Sequence, residues 1–145
     1  MQVRHILQSK GCDVAAVDIS ATIRQAAQLL TDKRIGALVV KDGKGALTGI
    51  ISERDLVHAI ARDGEAALSH RVCDHMTPSP ETCVETDTVE MVMEAMTQGR
   101  FRHVPVLDDS MRLCGMISIG DVVKTRIAET VSEAAALRDY ISATV

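Results

Sequence analysis

The sequence predicts an α/β fold, α+β in detail, of two pseudo-symmetric β-α-β-β-α repeats packed together as one module. Three observations predict it. The chain matches itself at a fixed spacing, each copy carries the apolar stripe of an amphipathic helix, and each stripe precedes two short apolar runs joined by a turn. A fixed-period repeat outranks other local signals, because it sets how many copies of one unit the fold contains. Shifted by 66 places, residues 17–58 fall on 83–124 without a gap. Identical pairs include Thr22/Thr88, Thr31/Thr97, Arg34/Arg100, Val40/Val106, Asp42/Asp108 and Leu47/Leu113, and then Gly49/Gly115, Ile51/Ile117, Ser52/Ser118, Asp55/Asp121 and Val57/Val123. A copy of roughly 60 residues is too short to bury a good core alone, so the two should pack together. The expected division is 1–66 for the first repeat, 67–128 for the second and 129–145 for a C-terminal helix that packs back or dimerises.

Each element follows from its residues. Ile23, Ala26, Ala27 and Leu30 stand at i, i+3, i+4 and i+7, one face of a helix; Val89, Val92, Met93 and Met96 repeat that spacing. The runs Ala37 to Val40 and Val104 to Leu107 read as buried strands, followed by turns at Asp42-Gly43 and Asp108-Asp109-Ser110. Second strands, Leu47 to Ile51 and Leu113 to Ile117, end in serine and open into second helices. The stretch from about Ile119 to Ala143, rich in alanine and glutamate, is helical in pattern. In it, Ile127, Val131, Ala134, Ala135, Leu137 and Ile141 form a partial apolar stripe, suited to folding back or to a twofold partner.

Composition narrows the function. Of 145 residues, 46% are hydrophobic and 25% charged, with a formal net charge of −4, so neither a basic nucleic-acid surface nor a cationic membrane surface is indicated. Phe101 and Tyr140 are the only aromatic residues, which excludes base stacking on an aromatic platform. A bound purine would have to be held by aliphatic side chains and backbone. Cys12, Cys73, Cys83 and Cys114 form no C-x-x-C pair and suit a reduced, cytoplasmic setting. The N-terminal Met1-Gln2-Val3-Arg4-His5 lacks a signal peptide's apolar run, and no stretch approaches transmembrane length. His70-Arg71-Val72-Cys73-Asp74-His75 matches no zinc spacing, so no metal site is expected. Ser52 and Ser118 have Asp rather than His as near partner, so no catalytic residue and no enzyme activity are expected.

The sharpest motif is Gly49-Ile50-Ile51-Ser52-Glu53-Arg54-Asp55, echoed by Gly115-Met116-Ile117-Ser118-Ile119-Gly120-Asp121. Taken once, it is a helix cap: the serine caps, and the acid sits in the first turn where the macrodipole favours negative charge. Twice is different, because capping alone accepts Thr, Asn or Glu at either copy. A helix N-terminus also offers free N–H groups to a phosphate, and an aspartate one turn in can accept ribose hydroxyls.

Duplicated in this way, G-h-h-S-x-x-D resembles the signature of the CBS (cystathionine β-synthase-type) domain pair, over residues 3–128, with Arg102-His103-Val104-Pro105-Val106 as a strand signature. The resemblance implies a Bateman module, two repeats around a cleft with two nucleotide sites. It implies that Asp55 and Asp121 hold ribose, that Ser52 and Ser118 lie near ribose or phosphate, and that Ile50, Met116, Ala37 and Val104 sandwich adenine. The implied function is regulatory: a sensor binding AMP or a related ligand (ADP, ATP, S-adenosylmethionine), with no obligatory cofactor. NAD(H) is the alternative, since a dinucleotide carries two nucleotide halves; another is a ligand-independent dimeric interaction module with vestigial sites. The partners expected are an adenine nucleotide, a second copy in a homodimer and a regulated protein.

The repeats also diverge. Gly36-Ala37 becomes Arg102-His103, and Arg54 becomes Gly120. The planar guanidinium fork suits phosphate, although Arg102 also reads as a solvated strand-end charge and His103 as a packed core histidine. Pro105 replaces Val39, which predicts an edge or cleft-lining position.

Overall fold

Threonine opens both halves: Thr22 and Thr88 accept the N–H of Gln25 and Met91 and so cap matching helices. In the computed structural model, which describes residues 1–143, both copies build the same mixed α+β unit. After a leading helix α1 (Val3–Lys10), the first copy gives β1 (Ala16–Asp18), α2 (Ile23–Lys33), β2 (Ala37–Lys41), β3 (Leu47–Ser52) and α3 (Glu53–Asp63). Two 3-10 turns and a short β4 (Thr77–Pro78) lead to the second copy, β5 (Cys83–Val84), α4 (Val89–Gly99), β6 (His103–Leu107), β7 (Leu113–Ser118) and α5 (Ile119–Ala143). The expected helical stretch from Ile119 is α5; residues 144–145 lie outside the described residues.

The repeated aspartates explain the repeated hairpins. Asp42 Oδ1 accepts from the N–H groups of Lys44 and Ala46, and Asp108 Oδ1 from those of Ser110 and Arg112. A side-chain oxygen thus stands in for backbone acceptors in each turn. The sheets run β1-β2-β3-β4 and β5-β6-β7, with Ala37 opposite Ser52 and His103 opposite Ser118. The Gly36 carbonyl accepts from Glu53 N–H and the Arg102 carbonyl from Ile119 N–H. These bonds bring each serine motif against the head of its neighbouring strand.

The segments leading into the repeats are exchanged. Val3, Ile6 and Leu7 of α1 are buried in the second core, with Val89, Val92, Val106 and Ile117. Val72, just ahead of the second copy, is buried in the first core with Ile23, Leu38 and Ile51. Val3 N–H donates to the Asp87 carbonyl, and Val72 N–H to that of Ala21. Since Ala21 and Asp87 are 66 apart, Val3 and Val72 are equivalent, three residues out of the repeat's register. Gly115 permits the docking of α1, because a Cβ there would meet Leu7 at 2.6 Å.

Pro105 departs from its expected place. It is fully buried in β6, the middle strand of its sheet, neither at an edge nor in a cleft. The reason lies in its equivalent, Val39, whose N–H donates to the Ala15 carbonyl beside β1. Proline has no N–H to give, and β5 pairs with β6 only from Cys83↔Val106 onward. The sheet accommodates proline by shortening the neighbouring strand.

At the C-terminus, Val122 anchors α5 in the second core, and Arg126 bonds Glu90 of α4 at 2.9 Å. Beyond that anchor Ile127, Val131 and Leu137 are exposed. No helix of the described residues is long and apolar enough to cross a membrane.

Candidate functional site

Both serine motifs form complete capping boxes. Asp55 Oδ2 accepts from Ser52 N–H at 2.8 Å and from its hydroxyl at 3.1 Å, and Asp121 Oδ2 does the same with Ser118 at 2.8 and 2.9 Å. Among the described residues every bond to the Asp55 carboxylate falls on Oδ2, so Oδ1 remains available to a further donor at the N-terminus of α3.

Asp55 lines a cleft of about 470 Å³, within the usual range for small-ligand sites. Around it stand Gly36, Ile50, Ser52, Glu53 and Arg54 from the first repeat, and Arg100, Phe101, Arg102 and His103 from the approach to β6. Thr77, Ser79, Pro80 and Glu81, from the segment leading into β5, close one side. The cleft therefore brings together Gly36, Ile50, Ser52, Arg54, Asp55, Arg102 and His103 of the expected residues. Ala37, Val104 and Pro105 are buried strand residues that do not line it. Met116, Ser118 and Asp121 do not line it either; they form the second motif.

Arg54 and Arg102, divergent positions of different repeats, converge on this one cleft. Arg54 Nη1 lies 3.5 Å from the Arg100 carbonyl, and among the described residues Arg54, Arg100 and Arg102 make no ion pair. These three guanidinium groups, each able to hold an anion, line the cleft together with the carboxylates of Glu53, Asp55 and Glu81. Arg100 reaches it from a left-handed helix cap, φ 56°, a backbone choice that no side-chain pattern announces. Phe101 places an aromatic ring in the cleft wall, where aliphatic and backbone contacts alone were expected.

His103 reaches across to the first repeat. A Cβ at Gly36 would stand 3.4 Å from its ring, an ordinary contact, so the ring packs beside the head of β2. Burial holds the His103 pKa below its ordinary 6.5; Lys10 and Arg102 push the same way, against Glu53 and Asp121. The unfolded chain therefore binds a proton at higher pH than the folded one. The resulting contribution to stability is full above pH 6.5 and is lost as pH falls through the lower folded-state value. We expect His103→Gln to flatten the fall in melting temperature as pH drops below 6.5. A slope equal to wild type would show that the buried ring takes up its proton as freely as in the unfolded chain.

The second motif is engaged differently. Lys10 Nζ, at the end of α1, bonds Asp121 Oδ2 at 2.6 Å and the Met116 carbonyl at 2.8 Å. Burial pushes the Asp121 carboxyl up, but Lys10 and the Ser118 N–H and hydroxyl outweigh it and hold it below the usual range.

Asp63, His70 and His75, distant from any zinc spacing in sequence, do come together. The imidazole planes lie within 9°, centroids 5.2 Å apart, with Nδ1 of His70 2.9 Å from Nε2 of His75. At those separations the rings lie end to end, with the two nitrogens facing each other. In this geometry one ring nitrogen donates to the other, and the ligand atoms of Asp63, His70 and His75 lie within 4.8 Å of one another.

The comparisons agree with this architecture. The CBS domain model matches residues 3–62 and 72–128, and the chain belongs to the CBS domain family. A CBS-domain containing protein from Agrobacterium tumefaciens is 47% identical with a TM-score of 0.84, over 86% of this chain and 92% of that one. A CBS domain protein from Pyrobaculum aerophilum complexed with AMP is 27% identical with a TM-score of 0.75, over 83% of this chain and 89% of that one. The mitochondrial CBS domain-containing protein CBSX3 of Arabidopsis thaliana is 39% identical over 83% of this chain; the match spans 60% of its length.

Proposed function

We propose that the chain is a regulatory sensor that binds AMP, or a related adenosyl ligand, in the cleft at Asp55. One observation carries the reading: Asp55, whose Oδ1 no described residue engages, lines one cleft at a helix N-terminus with Arg54, Arg100 and Arg102, which make no ion pair among the described residues. Asp55 then accepts ribose hydroxyls, and Ser52 lies near them. Arg54, Arg102 and His103 meet the phosphate, and Gly36 and Ile50 lie beside the base. The AMP complex of the Pyrobaculum aerophilum relative supports the ligand class. Binding joins groups from both repeats, and the ordered cleft changes the surface shown to a regulated protein. No reaction is assigned, and the four free thiols among the described residues suit a cytoplasmic setting.

A homodimer is part of the proposal. Val57 on α3 and Val123 on α5, equivalent in the repeat, are exposed, as are Ile60, Met91 and Ile127. Such apolar surface favours a twofold partner.

A thermal-shift panel of AMP, ADP, ATP, NAD, NADH and S-adenosylmethionine tests the ligand. At a hundred times its dissociation constant, AMP should stabilise by about 2.7 kcal/mol. No shift with any ligand, together with no co-purifying absorbance at 260 nm, would favour the ligand-independent interaction module. Light scattering on the same samples should report twice 15.6 kDa, and a particle of 15.6 kDa would refute the dimer.

A further inference from the structure

The two motifs share one local geometry and meet different surroundings. At the first, Asp55 faces the cleft with Arg54 and Arg102. At the second, glycine stands in both equivalent places, Gly120 for Arg54 and Gly36 for Arg102. The place is also taken. Lys10 donates to the Asp121 carboxylate and to the Met116 carbonyl beside it. Those are the acceptors that a nucleoside's hydroxyl and amino donors would need. Nor is Lys10 a wandering surface charge, because α1 is seated by Val3, Ile6 and Leu7 in the second core, with Leu7 against Gly115.

We propose that Lys10 decides which of the two motifs takes ligand, acting as a built-in competitor on Asp121 and leaving one open nucleotide site per chain. The inference rests on the adenosyl-ligand reading of the first cleft. Ribose can claim Asp121 only if the Lys10 ammonium leaves. A bound nucleotide would then find glycine in the places of Arg54 and Arg102, and Arg34 alone repeating an arginine of the first cleft, Arg100. The duplicated motif is thus kept at both places for helix capping, while ligand recognition is concentrated at one.

Calorimetric titration with AMP tests this. Wild type should bind one AMP per chain, and Lys10→Ala should bind two, the second more weakly, with the first-site dissociation constant within twofold of wild type. Adding Asp121→Ala to Lys10→Ala should return the count to one. In the wild-type background Asp121→Ala should leave the count at one, a measurement independent of how well Lys10→Ala folds. Two sites in wild type, one site in a folded Lys10→Ala, or loss of a site in Asp121→Ala alone would each overturn the role of Lys10. Absence of binding by every protein would instead overturn the ligand reading, and the inference with it.

Discussion

Alanine at Asp55 is expected to weaken AMP binding by roughly 10- to 150-fold, as loss of one charge-assisted hydrogen bond of about 1.5–3 kcal/mol would do. The same substitution should cost the fold about 1 kcal/mol, the usual effect of losing a helix cap. The two effects come from different oxygens. Oδ2 is spent on Ser52, closing the capping box, whereas Oδ1 is open to a ligand. Melting temperature and binding isotherm, measured on the same samples, separate them. A loss of stability with unchanged affinity would reduce Asp55 to a cap, its role in the plainest reading of the sequence. Asp55→Asn should retain most of the stability, since an amide oxygen can still accept from Ser52, while losing the charge that strengthens the ribose bonds.

Arg102→Ala should weaken AMP by tenfold or more and leave adenosine nearly unaffected. A bond between charged groups is worth about 1.5–3 kcal/mol, and adenosine has no phosphate to lose it from. Arg54→Ala should behave in the same way, because both guanidiniums line one cleft and neither has a carboxylate partner among the described residues. In combination the losses should depart from simple addition, as neighbours acting on one phosphate do. Calorimetry with both ligands on the single and double variants gives the answer. Equal losses for AMP and adenosine would mean that the arginines shape the cleft. No loss for either would make Arg102 a solvated strand-end charge.

How much of this was legible depends on whether a feature is repeated. Strands, helices and both hairpins could be read because Thr22, Asp42, Ser52 and Asp55 recur 66 residues on and do the same local work twice. Local hydrogen bonds recur with the residues that make them. The exchanged leading segments were not legible, since Val3 and Val72 fall three residues out of that register and their partners are distant in sequence. Pro105 misled for a related reason: its cost depends on whether the neighbouring strand supplies a facing carbonyl, which the strand's own residues do not reveal. Of the site, the motif and the divergent Arg54, Arg102 and His103 were visible as differences between copies. Arg100, Phe101 and the Thr77–Pro78 approach were not, because a bend and a linker carry them into the cleft. The engagement of Asp121 by Lys10, 111 residues apart, lies beyond any local pattern.

The exchange of leading segments bears on cooperativity. Each half holds a strap from the other's side of the chain: α1 closes the second core, and Val72 closes the first. If one half opens, the strap it holds loses its anchor, and the strap it lends the other half is tethered only to unfolded chain, so the other core's cover loosens too. Partial unfolding therefore forfeits burial in both cores, so half-folded species are costly and the module melts as a unit. A nucleotide clamping a single cleft then protects all of it, including the surface farthest from the ligand.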